Sequence, residues 1–171
     1  MLLAARAQLV AGGRSNVGVR AIARDVGLSP AGIYTYFDGV EAIVSAVVTD
    51  ALASLAAAVE EATSAARAAQ ADDDGVLRAG LVAYRDWAVS HPEEFCVVFT
   101  PSSPNDPAQP TVAAAIGSLW GEDGQAGPRA RCWARLHGLV VLEVHGQLAG
   151  VAGDATTFYE AEVDDVVRAR R

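Results

Sequence analysis

Apolar residues recur at helical spacing along almost the whole of this chain. Val19, Ile22, Ala23 and Val26 stand at i, i+3, i+4 and i+7, with Arg20 and Arg24 together on the opposite face, the pattern of a short amphipathic helix. Ile33 and Phe37 pair at i, i+4 in a second short segment, and Ile43, Val47, Ala51, Leu55 and Val59 mark the buried stripe of a long, alanine-rich one. Ala, Leu, Arg and Glu dominate these segments, and no alternating strand flanked by hairpin turns interrupts them. The predicted fold class is all-α, with about nine helices.

Glycine, proline and capping residues set the expected boundaries. A first helix over 2–11 stops at Gly12-Gly13, and a second over 19–26 ends at Gly27, which supplies a left-handed stop. Ser29 is a good N-cap and Pro30 suits the first helical position, so a third helix of about two turns runs to Asp38-Gly39. A fourth covers 40–69 and is broken by the solvated connector Asp72-Asp73-Asp74-Gly75. Helices over 76–90 and 93–99 flank His91-Pro92, because proline disfavours helix in the residue before it. TPSSPNDPAQP and GEDGQAGP read as loops around a seventh helix at 111–120, and helices over 129–148 and 155–170 complete the chain.

Charge divides the 171 residues unevenly. The formal net charge is −8 and the pI near 4.7, which argues against nucleic acid binding over the whole surface. Yet residues 1–40 carry Arg6, Arg14, Arg20 and Arg24 against Asp25 and Asp38, a balance of +2, while the remainder stands at −10. A mildly basic head on an acidic body is the asymmetry expected when two parts meet different partners. All thirteen basic residues are arginine, a bias that reflects genome base composition more than function. Cys96 and Cys132 are too few and too distant for a disulfide framework and read as buried thiols of a reducing compartment. The apolar run 139–144 is broken by Glu143, and Arg6 and Gln8 interrupt the opening MLLAARAQLVAGG, so neither a transmembrane run nor a signal segment is expected. The expected location is the cytosol, with no membrane partner.

Between the second and third helices lies Gly27-Leu28-Ser29, a turn of the length that joins the helices of a helix-turn-helix unit. In that unit the second helix enters the DNA major groove while the first crosses the backbone. With Ile33 and Phe37 inward, the outward surface holds Ser29, Pro30, Ala31, Gly32, Tyr34 and Thr35, with Tyr36 at its margin and Arg20 on the preceding helix. These eight are the candidate DNA-binding residues. Their lack of charge is no objection, since hydroxyls and helix N-terminal N–H groups also bind phosphate. The same pattern fits two short amphipathic helices of an ordinary bundle with tyrosines packed by their rings.

The longer stretch VRAIARDVGLSPAGIYTYFDGVEAIVSAVV resembles, nearly end to end, the DNA-binding head of the TetR family of repressors. The resemblance implies that 19–26 is that family's second helix, Gly27-Leu28-Ser29 its turn and Ile33-Tyr34-Thr35-Tyr36-Phe37 its recognition helix. Ile43 matches the apolar residue early in the fourth helix. The domain division it implies is a DNA-binding head at 1–39 and a ligand-sensing, dimerising body at 40–171, linked by the helix over 40–69. Two positions depart from the family. Val40 stands where a phosphate-contacting lysine is common, and the chain opens almost directly on MLLAARAQL, where the family usually has a short basic arm.

In the body, RCWARLHGLVVLEVHGQLAG is similar to the Trp-His-Gly type of C-terminal domain through Trp133, His137, Gly138, Glu143 and Gly146, and HPEEFCVVF is similar to its junction between helices five and six. The resemblance implies an effector cavity lined by Tyr84, Trp87, Phe95, Phe99, Trp120 and Trp133, with His137 as a polar anchor; for each aromatic, plain core packing is the alternative. Gly138, Leu142, Gly146 and Gly150 recur every four residues, which gives one face of the eighth helix a close approach suited to a homodimer partner. Trp133, Leu136, Val140 and Val144 occupy the other side.

Other chemistry is not supported. His91, His137 and His145 include no i, i+4 pair and the cysteines complete no ligand set, so no metal or other cofactor is expected. GEDGQAG lacks the lysine of a phosphate loop, and no G-x-S-x-G elbow is present, so no enzymatic activity is expected. The expected function is a homodimeric regulator, a repressor that binds a palindromic double-stranded operator and is released by a small, mostly apolar effector. The alternative is an all-α ligand-binding or scaffold protein of the same fold that has lost DNA binding, a reading motivated by Val40 and the arm.

Overall fold

The computed structural model describes residues 1–13, 16–99, 126–151 and 153–169. Among these residues there are eight helices and no strand. They are α1 (Leu2–Gly12), α2 (Val19–Asp25), α3 (Pro30–Tyr34), α4 (Val40–Ala68), α5 (Asp73–Ser90), α6 (Pro92–Phe99), α7 (Ala126–Val144) and α8 (Ala155–Arg168). The helix expected at 111–120, the loop after Phe99 and Trp120 lie outside the described residues.

The described residues form two compact units, Met1–Ser54 with 93–99 and Leu55–Pro92 with the residues from 126 onward. In the first unit, α1, α2, α3 and the start of α4 close around Ala5, Leu9, Val19, Ile22, Ala23, Ile33, Ile43, Val44 and Val47, all buried. Phe37, Val26, Val40 and Val97 of α6 pack against this core. Of the predicted apolar positions, Val19, Ile22, Ala23, Ile33, Ile43 and Val47 are the ones that meet in this core, with Val26 and Phe37 packed against it, and Val44 joins them from outside the expected stripe of α4. Gln8 locks α1 to both ends of α2: its side-chain carbonyl accepts from the Gly18 N–H at 3.2 Å and its amide donates to Asp25 at 2.9 Å. Arg6 of α1 donates to Asp50 of α4 at 2.6 Å and to Glu94 of α6 at 2.8 Å, which ties three helices with one guanidinium.

The second unit packs α5, α7 and α8 together around Leu81, Trp87, Ala88, Leu136, Val140, Tyr159, Val163 and Val166. A charged pair stands inside it. Arg85, 6% exposed, donates from Nε to Glu143 at 2.8 Å, from a second nitrogen to the same carboxylate, and to Thr156 Oγ1 at 2.9 Å. Its guanidinium lies 5.7 Å from the centre of the Tyr159 ring, whose hydroxyl donates to the Leu81 carbonyl at 3.0 Å. Hydrogen bonds from Arg85 to Glu143 hold the guanidinium above its ordinary pKa against the opposing effect of burial. One fork therefore joins α5, α7 and the start of α8.

Three expectations about the helices are corrected. Asp72-Asp73-Asp74 is not a connector but the start of α5: Asp72 caps it by accepting from the Gly75 N–H at 2.9 Å, and Asp73 and Asp74 occupy the first turn, where carboxylates complement the helix dipole. The helix expected to run to Leu148 ends at Val144, because Gly146 and Gly150 adopt φ of +70° and +79°. The four-residue repeat of Gly138, Leu142, Gly146 and Gly150 is therefore not a face of one helix; only its first two members are helical. Finally, α4 is long and apolar enough by length and composition to cross a membrane, with an 18-residue stretch of mean hydropathy 2.0, unlike the expectation of no such segment. Its larger apolar side chains Ile43, Val44, Val47, Val48, Leu52 and Leu55 are buried in the protein, and alanine supplies much of the rest.

Removing one member of a buried ion pair strands the other. Arg85→Ala is expected to lower unfolding free energy by about 3–5 kcal/mol in chemical denaturation, while the double replacement Arg85→Met with Glu143→Leu stays much nearer the parent.

Candidate nucleic-acid interface and aromatic cluster

Helix α3 begins where its sequence says it should. Ser29 is extended, its Oγ accepts from the Gly32 N–H at 3.1 Å, and Pro30 takes the first helical position. Gly27, at φ +71°, turns the chain out of α2 in a conformation that a side chain would strain. The helix is shorter than the two turns expected. The Ile33 carbonyl accepts from both Tyr36 N–H at 2.9 Å and Phe37 N–H at 3.0 Å, a tightening that closes the helix after Tyr34. Ile33 is wholly buried and Phe37 half-buried, so the two inward positions are as expected.

The candidate contact residues face solvent. Arg20, Ser29, Pro30, Ala31, Thr35, Tyr34 (58% exposed) and Tyr36 (67% exposed) are all exposed, and Gly32 is half-buried. Tyr36, expected at the margin, is the most open of the tyrosines on this surface. The Thr35 hydroxyl donates back to the Ala31 carbonyl at 3.4 Å. The local charge is smaller than a residue count suggests. Arg6 is spent on Asp50 and Glu94, and Arg24 lies 3.7 Å from Asp25. Val40, in place of a cation, is half-buried against the head core.

In the second unit, Tyr84 of α5 and Trp133 and His137 of α7 come together. The Trp133 and His137 rings stack at 4.5 Å and 14°, Tyr84 meets Trp133 edge-on at 5.3 Å, and the Tyr84 hydroxyl and His137 Nδ1 share a hydrogen bond of 2.7 Å. The i, i+4 spacing of Trp133 and His137 on α7 makes the stack possible. Burial lowers the His137 pKa to about 4 and raises that of Tyr84, so both are uncharged near neutrality. Trp87 stacks instead on His91, whose Nδ1 donates to the Trp87 carbonyl at 2.9 Å. Phe95 and Phe99 pair with each other at 4.8 Å in the first unit, and Trp120 is outside the described residues. Cys96 and Cys132 are free and half-buried rather than buried, and burial raises the Cys96 thiol pKa.

The comparisons with known proteins match both units. The family model for bacterial regulatory proteins of the tetR family covers residues 1–47, and that for the tetracyclin repressor-like C-terminal domain covers residues 77–166, including the stretches around His91 and Trp133. The chain belongs to the TetR family. Both models describe regulators, a non-enzymatic class. The chain is similar to the HTH-type transcriptional regulator Mb1846 of Mycobacterium bovis, 28% identical over 113 residues, which are 66% of this chain and 47% of that protein. The match thus spans about half the length of the curated relative. Among solved structures, a protein described as regulatory, SCO4313, is 26% identical with a TM-score of 0.76, over 96% of this chain and 92% of its own. A TetR family transcription regulator from Marinobacter aquaeolei VT8, 20% identical over 95% of this chain and 91% of its own, shares the fold at a TM-score of 0.68.

Sequence reasoning missed Arg85–Glu143 and Arg6–Asp50–Glu94. A signal existed for the first: Arg85 lies four residues after Leu81 and three before Ala88, and Glu143 three after Val140, so each charge interrupts a buried stripe. Two opposite charges so placed suggest each other.

His137 also gives the TetR-family chain a pH signature. Between its ordinary pKa of about 6.5 and its folded value of about 4, the unfolded chain binds a proton that the folded chain does not, so stability falls as pH falls through this window. Urea midpoints at pH 7 and pH 5 should therefore differ more in the parent than in His137→Gln; equal differences would show that His137 is not held neutral.

Proposed function

We propose that this chain is a ligand-responsive transcriptional regulator that binds a palindromic double-stranded operator as a homodimer in the cytosol and represses until a small, mostly apolar effector releases it. The observation that carries the reading is the exposed surface of α3 and its turn, set on a core that matches the family's head. In a helix-turn-helix dimer the two recognition helices are spaced by about 34–36 Å, one turn of DNA. An effector that favours another spacing lowers operator affinity by population shift. The cluster of Tyr84, Trp133 and His137 supports an effector site of aromatic character with an uncharged polar anchor. Gly138 and Leu142, on α7, remain the candidate partner-facing positions, and α4 contributes residues to both units, which supports it as the carrier of the shift.

A second reading, a TetR-like fold without DNA binding, is favoured by one observation: Val40 packs into the head where a phosphate-contacting lysine is common in the family. Binding of the full chain to duplexes from its own promoter region, followed by fluorescence anisotropy across a salt series, separates the two. Salt-sensitive binding is expected, weakened about tenfold by Tyr36→Ala, the loss of one hydrogen bond to a charged group, with thermal stability unchanged. Val40→Lys should steepen the dependence of log affinity on log salt by about 0.9 for each added phosphate contact. A folded dimer with no binding at low salt would establish the second reading.

A further inference from the structure

On the reading that α3 enters the major groove, we infer that this head reads its operator mainly through the C5-methyl groups of thymine, with Ala31, Pro30 and Thr35 as the contacting side chains. Direct discrimination of bases rests chiefly on bidentate donors and acceptors: arginine or lysine on guanine, asparagine or glutamine on adenine, a carboxylate on cytosine. From Ser29 to Phe37, through the whole of α3, no such side chain is present.

The hydroxyls that could replace them are partly engaged. Ser29 Oγ accepts the Gly32 N–H as the helix cap, and the Thr35 hydroxyl proton goes to the Ala31 carbonyl. Thr35, which is exposed, keeps acceptor lone pairs and offers its methyl group beside them. Tyr34 and Tyr36 are long side chains with open hydroxyls, of the type that reaches the sugar-phosphate backbone. Arg20 lies on α2, the helix that crosses the backbone, where its charge meets phosphate.

What remains at the exposed start of α3 is a short aliphatic surface, Pro30 and Ala31, extended by the Thr35 methyl and by Leu28 beside it, which is 43% exposed. The only apolar group that a base pair displays in the major groove is the thymine methyl, and alanine and the threonine methyl are its known kind of partner. Gly32 adds no side chain to hold the backbone off. The head therefore selects thymine where the start of α3 meets each half-site and tolerates exchange among the remaining bases.

The test begins with selection of binding sites from a random duplex library by the full chain, so that no operator need be known in advance. The best duplex is then remade with single thymines replaced by uracil, which removes the methyl and nothing else. Each contacted thymine should cost about fourfold in affinity, the worth of one buried methyl-sized group. In Ala31→Gly the same replacement should cost less at one thymine of each half-site, and that loss of coupling identifies the contact. Replacing guanines by 7-deazaguanine, which lacks the N7 acceptor, should change affinity by less than about twofold. A selected site insensitive to uracil but weakened by 7-deazaguanine would overturn the inference while leaving DNA binding intact. Failure to enrich any duplex would overturn the DNA-binding reading itself.

Discussion

Helix α3 is too short to hold itself. A five-residue helix closes too few hydrogen bonds to offset the entropy of ordering its backbone, and isolated helices several times longer are marginal in water. What holds it is the burial of Ile33, which has no exposed surface and sits with Ile22, Ala5 and Ile43 in one core. Burying one such side chain is worth about 1.5–3 kcal/mol, comparable to the cost of fixing one or two residues. The Ser29 cap, the left-handed Gly27 and Phe37 behind the helix add to that anchor. Because Ile33, Phe37 and Gly27 lie beneath or beside α3, the exposed Ala31, Tyr34 and Tyr36 side chains are not needed for its core. That separation lets an exposed surface of small and hydroxylated side chains serve for recognition.

The second unit meets a different constraint, that of keeping polar groups inside an all-helical packing. Arg85 and Glu143 answer it by pairing through two hydrogen bonds, with Thr156 and the Tyr159 ring completing the guanidinium's surroundings. A buried pair of this kind is weak evidence for net stability but defines which helices belong together. His137 answers it by staying neutral and sharing a hydrogen bond with Tyr84. The first unit uses the same logic with Arg6, which joins α1, α4 and α6 at the expense of the head's basic charge.

Much of this was legible in the chain. The apolar spacings of Val19, Ile22, Ala23, Ile33 and Ile43 named the head core, and Ser29-Pro30 and Gly27 marked the limits of the turn. Three things were not. A run of aspartates reads equally as a breaker or as a cap with an acidic first turn, and only the bond to Gly75 decides between them. Glycine at four-residue spacing is compatible with a helix face until a positive φ at Gly146 ends the helix. Of the seven aromatic-cluster candidates, Tyr84, Trp133 and His137 meet in one place, while Trp87 turns to His91; which ring stacks on which is set by tertiary packing that spacing along one helix does not encode.

The claim on which the functional account rests is that the surface carried by Ile33 is where DNA binds. Amide chemical shifts of the isotope-labelled full chain, recorded while a selected operator duplex is added, test it directly. The account predicts shifts concentrated at Arg20 and from Gly27 to Phe37, with smaller changes elsewhere. Shifts concentrated instead in α7 and α8, with Gly27 to Phe37 unmoved, would contradict it.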